Sequence, residues 1–316
     1  MGEICLGIAA SHSPILFVSP EKWLARIHQG ESREDEPDSF KLTTENISKT
    51  ILQIQRCHDA YKALGNLLQE AKPDALVIIG DDQGENFYPG NMPPLAICVG
   101  ADLEGSFSLG RRLPIEEQED VRRVKVPSDE LLAKQIYQEF IDCELDVASS
   151  LQLPGEGLGH AHMWPLKFLA PELNIPIVPI FINAYFPPQP RAGRCYLLGA
   201  VLANAIRKSN KRVAVFGSGG LSHFPRHLGP WGISPYPIEK RWFVDEEFDR
   251  HALSMLVTGR GAELANASSI ELERSGNLEL RNWIALSGAM GERKGRLLAY
   301  EPVRTVAIGL GFAVWN

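Results

Sequence analysis

Three histidines stand in turns of the kind that carry chemistry in an α/β protein. His12 in AASHSP, His160 in GLGHAHMWPL and His223 in GSGGLSHFPRH each occupy a Gly- or Ser-containing segment that follows a strand pattern or precedes a helical one. Loops at the carboxyl ends of strands converge on the ligand crevice of such folds, so turn histidines of this kind can share one pocket. The apolar run at residues 75–80 likewise leads into Asp81, Asp82, Gln83, Gly84 and Glu85, which brings oxygen donors to another strand end. Imidazoles mixed with carboxylates, with coordination positions left open, suit non-haem Fe(II) or a related divalent cation. A single turn histidine is more often a hydrogen-bonded structural residue, and an acidic turn more often a solvated cap. Repetition at several strand ends argues for shared use. His162, two residues after His160, is placed to enter the same pocket.

Other motifs carry less. The GSGG of residues 217–220 follows a strand pattern and could cradle phosphate, but it lacks both GxGxxG spacing and a P-loop lysine. Ser11 beside His12 and Ser222 beside His223 suggest Ser/His hydrolysis only superficially, because triad partners normally come from distant segments, and no GxSxG is present. Arg194, Arg226 and Lys240 lie near candidate pocket loops and could hold a substrate carboxylate, with a solvated surface role as the simpler reading. Trp164 and Trp283 are expected to pack the core or wall a pocket, while His58 and His251 lie in helical patterns with no assigned role.

The elements that must position these residues read as an α/β sheet. Short runs rich in Val and Ile at residues 4–9, 75–80, 95–99, 175–182 and 212–216 alternate with longer helical patterns. Residues 306–315 read as a last strand broken by Gly309 and Gly311. The continuous apolar character of the runs predicts strands covered on both faces. Helices are predicted at 46–71, with Thr43 or Thr44 as its cap, and at 128–143, 195–208 and 245–257. Residues 28–40 and 227–237 read as long surface loops. No composition shift or internal repeat marks a boundary. Residues 1–316 are therefore expected to form one domain, with a central mixed sheet flanked by helices and the active site at strand carboxyl ends.

Composition excludes several classes. The 316 residues are 44% hydrophobic and 22% charged, as in an ordinary globular protein. Thirty-two Lys and Arg against 39 Asp and Glu leave a net charge of −7, without the dense basic stripe that nucleic-acid binding requires. No apolar run approaches the roughly 20 residues of a membrane span, and the N-terminus reads as a first strand rather than a signal peptide. Five scattered cysteines without a CxxC pair fit a reduced cytoplasm, with the thiols as small core residues.

Taken in order, GIAASHSP, VIIGDDQGENF, GHAHMWPL, INAYFPPQPRAGRCYLLG, VFGSGGLSHFP and GNLELRNWIALSGAM resemble the class III extradiol ring-cleavage dioxygenases, the catalytic-subunit family of protocatechuate 4,5-dioxygenase. The resemblance spans nearly the whole chain. It implies Fe(II) held by two histidines and a glutamate, with O2 opening an ortho-diphenol ring beside its hydroxyls. Carried over by position, His12 resembles the first ligand and Glu279 the carboxylate ligand, His223 the catalytic base, and His160 the second pocket histidine that meets substrate and oxygen. The family's Asn-Asp-His strand end aligns with Asp81-Asp82-Gln83, so Gln83 falls where the second ligand histidine belongs. Gln83, Asp82 or Glu85 could complete a modified site, His162 could substitute, or ring cleavage could have lapsed in favour of binding alone. A hydrolase, or an oxygenase acting on a non-catechol substrate, is a further alternative. The implied partners are a small aromatic substrate and O2, in a homo-oligomer or with a small second subunit.

Overall fold

Eight strands lie side by side in one mixed sheet, and the four at its heart run parallel. In the computed structural model, residues 1–27, 36–107, 123–155, 157–224 and 242–316 are described. The elements are β1 (Glu3–Ala10), α1 (Pro20–Ile27), α2 (Thr44–Ala71), β2 (Ala75–Gly80), β3 (Leu95–Cys98), β4 (Leu103–Ser106), β5 (Arg123–Val126), α3 (Glu130–Asp142), β6 (Ala148–Ser150), α4 (His160–Met163), α5 (Leu166–Leu169) and β7 (Ile177–Ile182). They continue with α6 (Ala192–Lys208), β8 (Arg212–Ser218), α7 (Glu246–Val257), α8 (Gly261–Leu264), α9 (Ser269–Arg274), α10 (Leu280–Met290), β9 (Arg296–Val303) and β10 (Ile308–Trp315).

The sheet order is β6-β3-β7-β2-β8-β1-β10-β9, with β4 and β5 paired separately. Strands β7, β2, β8 and β1 are mutually parallel, while β10 and β9 extend the β1 side as antiparallel neighbours. Every residue of β2 and β7 is buried, as predicted for strands covered on both faces. Side chains alternate between the two faces. Leu76 and Ile78 of β2 join the cluster under α2, while Val77 and Ile79 join the cluster under α3, α6 and α10.

Helix α2 follows its pattern closely. Ile54, Cys57, Tyr61, Leu64 and Leu68 recur at spacings of three and four and are buried, and the Thr43 side chain accepts the Asn46 backbone N–H at 3.1 Å to cap the start. Helix α10 has no such pattern because every one of its residues is buried, including Arg281 and Asn282. Its close approach to α6 depends on Gly199, where a Cβ would stand 1.8 Å from the Ala285 carbonyl oxygen.

Two expectations need correction. Strand β10 runs unbroken from Ile308 to Trp315; Gly309 is there because a Cβ would stand 2.2 Å from Oδ2 of the buried Asp249. Cys143 is exposed at the end of α3, so the thiols are not all core residues, although Cys57, Cys98 and Cys195 are buried. Edge strand β9 and the β4–β5 pair were not foreseen, because half-exposed strands lack a continuous apolar run. Of the predicted loops, residues 28–35 and 227–237 lie outside the described residues, and Asp38–Phe40 forms a single 3-10 turn. Among the described residues no helix is long and apolar enough to cross a membrane.

Candidate active site

Because β7, β2, β8 and β1 are parallel neighbours, their carboxyl ends lie along one edge of the sheet. The segments leaving that edge carry Tyr185 after β7, Asp81 to Glu85 after β2, Gly219 to His223 after β8 and Ser11 to His12 after β1. Glu279 arrives from the start of α10 and His160 from α4. His12, Asp81, Gln83, His160 and Glu279 are all buried, while His223 retains partial exposure.

The tautomer of His12 follows from its neighbours. Ser218 Oγ donates its one hydrogen to the Ala161 carbonyl at 2.6 Å, so it accepts from His12 Nδ1–H at 2.9 Å. The other ring nitrogen, Nε2, faces the carboxylates, 3.4 Å from Glu279 Oε1 and 3.8 Å from Asp81 Oδ1. Donor atoms of His12, Asp81 and His160 all fall within 4.8 Å of one another. The His160 ring stands edge-on to His12 at 4.7 Å, and its Nδ1 pairs with Glu85. A carboxylate behind an imidazole fixes its orientation, as around metal ligands.

Glu279 is the hub. It accepts from the Gly220 N–H, from the Tyr185 hydroxyl and from Gln83 Nε2, the last at 3.2 Å. The Gly220 amide that a phosphate loop would have offered is thus already bound. Trp283 donates from Nε1 to the Gly219 carbonyl at 3.0 Å, which anchors the same turn. Tyr185 also touches His223, with its hydroxyl 2.9 Å from Nε2. His223 Nδ1–H donates to the Leu221 carbonyl at 2.8 Å, which turns Nε2 toward Tyr185 and the pocket.

Burial pushes Glu279 up, but His12, His223 and the Tyr185 hydrogen bond outweigh it and hold the carboxyl well below its usual range. Asp81 goes the other way. Burial and then the neighbouring Glu279 charge push it up to about 8, the expected divergence of two buried carboxylates competing for one site. With Glu85 adding a further carboxylate, the pocket concentrates negative charge away from water. A divalent cation among these oxygens and imidazoles would relieve that repulsion, and the donor set suits one.

The structure brings His12, Gln83, Glu279, His160 and His223 into one cluster. It places two other candidates differently. Both Asp82 oxygens accept from the turn itself: the backbone amides of Gly84, Asn86 and Phe87 and the Asn86 side chain, at 3.0–3.2 Å. His162 is fully buried with its ring 4.3 Å from that of Phe181 and Nε2–H on the Ile180 carbonyl, and burial pushes it down to about 4. It ties α4 to β7. Arg194 is half-buried on the first turn of α6, and Arg226 and Lys240 lie outside the described residues.

Sequence reasoning named Asp81 only as one of the oxygen donors after β2, offered Glu85 as a metal ligand rather than as the partner of His160, and gave Ser218 and Tyr185 no role. Tyr185 was within reach, since it stands three residues beyond the end of β7, where the strand-end rule looks for function. Ser222, beside His223, is no nucleophile in waiting. Its hydroxyl donates to Asp249 Oδ2 at 2.7 Å, and Asp249 also accepts from the Ser222 backbone, Asn277 and Tyr300 at 2.7–3.1 Å.

Comparison with known proteins agrees with this architecture. A solved structure of an uncharacterized Escherichia coli K12 protein, JW3007, superposes with a TM-score of 0.55 over 98% of this chain and 99% of its own, at 13% identity, a likeness of fold. A 2,3-dihydroxyphenylpropionate/2,3-dihydroxicinnamic acid 1,2-dioxygenase of Paraburkholderia xenovorans (strain LB400) is 27% identical over 81% of this chain and 87% of its own. A protein of the same name from Klebsiella pneumoniae (strain 342) is 28% identical over 76% and 84%. The family model of the catalytic LigB subunit of aromatic ring-opening dioxygenase matches residues 29–311. With that match spanning most of its length, the chain belongs to the LigB family of aromatic ring-opening dioxygenases.

Proposed function

We propose that this protein is a non-haem, iron-dependent extradiol dioxygenase that opens a catechol-type ring beside its two hydroxyls and places both atoms of O2 in the product. The observation that carries this reading is that His12 Nε2 faces two carboxylates at the strand ends, Glu279 Oε1 at 3.4 Å and Asp81 Oδ1 at 3.8 Å, with the more exposed His223 beside Glu279. His12 and Glu279 would hold the cation. Bound Fe(II) supplies Lewis acidity toward adjacent phenolic oxygens and redox access to O2.

The chain's own residues supply the rest. A substrate coming from solvent meets His223, the more exposed imidazole, whose Nε2 accepts a phenolic proton. The Leu221 carbonyl holds Nδ1–H, so the base is presented in one orientation. Tyr185 bridges His223 and Glu279 and gives the accepted proton a hydrogen-bonded neighbour. His160, oriented by Glu85, stands beside His12 to hydrogen-bond an anionic oxygen of substrate or oxidant. Burial of the cluster limits competing reactions with water. The names of the relatives support a 2,3-dihydroxyphenyl substrate with a short carboxylate tail.

The test is oxygen uptake by Fe(II)-loaded protein against a panel of catechols with and without acidic side chains. One O2 consumed per substrate, with appearance of a ring-opened chromophore, is the expected result. Substrate loss without oxygen uptake, or tight substrate binding without turnover, would overturn it.

A further inference from the structure

We infer that Asp81, and not Gln83, is the third protein ligand of the metal centre, alongside His12 and Glu279. The inference rests on the reading of this pocket as a metal site given above. Of the four side chains that follow β2, Asp81 is the one whose carboxylate forms a close pair with His12 Nε2, at 3.8 Å. Asp82 is engaged by the backbone of its own turn, and Glu85 by His160 and the Gln83 backbone N–H.

Gln83 is held in a way that keeps it from coordinating. Its Nε2 donates to Asp81 Oδ2 at 3.1 Å and to Glu279 Oε1 at 3.2 Å. The opposite amide orientation would set a carbonyl oxygen against two carboxylate oxygens, so the neighbours choose the N–H. An amide N–H is no metal ligand. What it does is tie two carboxylates to one donor, each of them also facing His12 Nε2, the task of an outer hydrogen-bonding partner. Asn282 supports the same carboxylate from the other side, with Nδ2 3.4 Å from Asp81 Oδ1 and 2.6 Å from the Ser218 carbonyl.

The chemical consequence is a centre of one imidazole and two carboxylates. Such an oxygen-rich set shifts preference toward harder cations such as Mn(II) relative to softer or more nitrogen-loving ones. His160 then remains available for substrate or oxygen.

The experiment measures Mn(II) and Fe(II) binding, by electron paramagnetic resonance titration and anaerobic elemental analysis, in wild type, Asp81→Asn, Gln83→Leu, His12→Ala and Glu279→Gln, with circular dichroism confirming each fold. Asp81→Asn is expected to weaken binding by at least about 100-fold, as much as His12→Ala or Glu279→Gln, whereas Gln83→Leu costs no more than about 10-fold. If His12→Ala and Glu279→Gln lose metal but Asp81→Asn keeps it, this assignment falls and the metal-centre reading stands. If wild type binds neither cation, both fall. Should Asp81→Asn fail to fold, Gln83→Leu decides alone, since loss of metal there makes Gln83 the ligand and retention excludes it.

Discussion

The Tyr185 hydroxyl lies 2.9 Å from His223 Nε2 while donating to Glu279, so one phenolic group joins the base of the site to its buried carboxylate. Removing that group leaves His223 with its Leu221 hydrogen bond but without a partner to steady Nε2. Tyr185→Phe is expected to lower kcat by about 10-fold or more, with little change in KM, and to displace the pH profile of kcat. His223→Ala should retain metal and lose about 10²- to 10⁴-fold in turnover, the usual worth of a general base. Steady-state kinetics across pH, beside metal analysis, check both. Equal pH profiles for wild type and Tyr185→Phe would reduce Tyr185 to packing.

Asp249 sets the loop that carries His223. It is fully buried and takes hydrogen bonds from the Ser222 amide and hydroxyl, Asn277 and Tyr300. Asp249→Ala strands several buried donors at about 1–3 kcal/mol each before relaxation. We expect a destabilisation of at least about 3 kcal/mol in urea denaturation, and Asp249→Asn to recover part of it. A loss under about 1 kcal/mol would show that the network is dispensable.

Acid should weaken the fold through His162. Its folded pKa is pushed by burial from an ordinary 6.5 down to about 4. Between those values the unfolded chain binds the proton and the folded one does not, so stability falls as pH drops through the window, by up to about 1.4 kcal/mol per pH unit. His162→Gln keeps a donor for Ile180 but has no proton to bind. Denaturant midpoints between pH 7 and 4 should therefore fall less steeply in the variant, and parallel curves would contradict the assignment.

The α6–α10 contact tolerates no added methyl. Gly199→Ala places a carbon against the backbone of Ala285, which only a shift of one helix can relieve. Overpacking of this kind costs about 1–3 kcal/mol. Because α10 begins beside Glu279, the same substitution should also weaken metal binding, which a titration on the folded variant reads directly.

The parallel strands and α2 were legible because burial of a strand on both faces, or of one helix face, leaves a periodic trace in the residues themselves. So were His12 and His223, which follow β1 and β8 whatever the strand order. Helix α10 left no such trace, since a helix buried on every side has no polar face to alternate with. Strand order alone decided that the segments after β1, β2, β7 and β8 share one edge, and so that Glu279, some 200 residues beyond Gln83, reaches its amide. Residue types brought Asp81, Asp82, Gln83 and Glu85 to one strand end as oxygen donors and offered Gln83, Asp82 or Glu85 to complete the site. Only the tertiary structure told them apart, because a carboxylate's availability depends on which donors surround it: the turn around Asp82, the imidazole at Glu85, and for Asp81 the side-chain amides of Gln83 and Asn282 with His12 beside them.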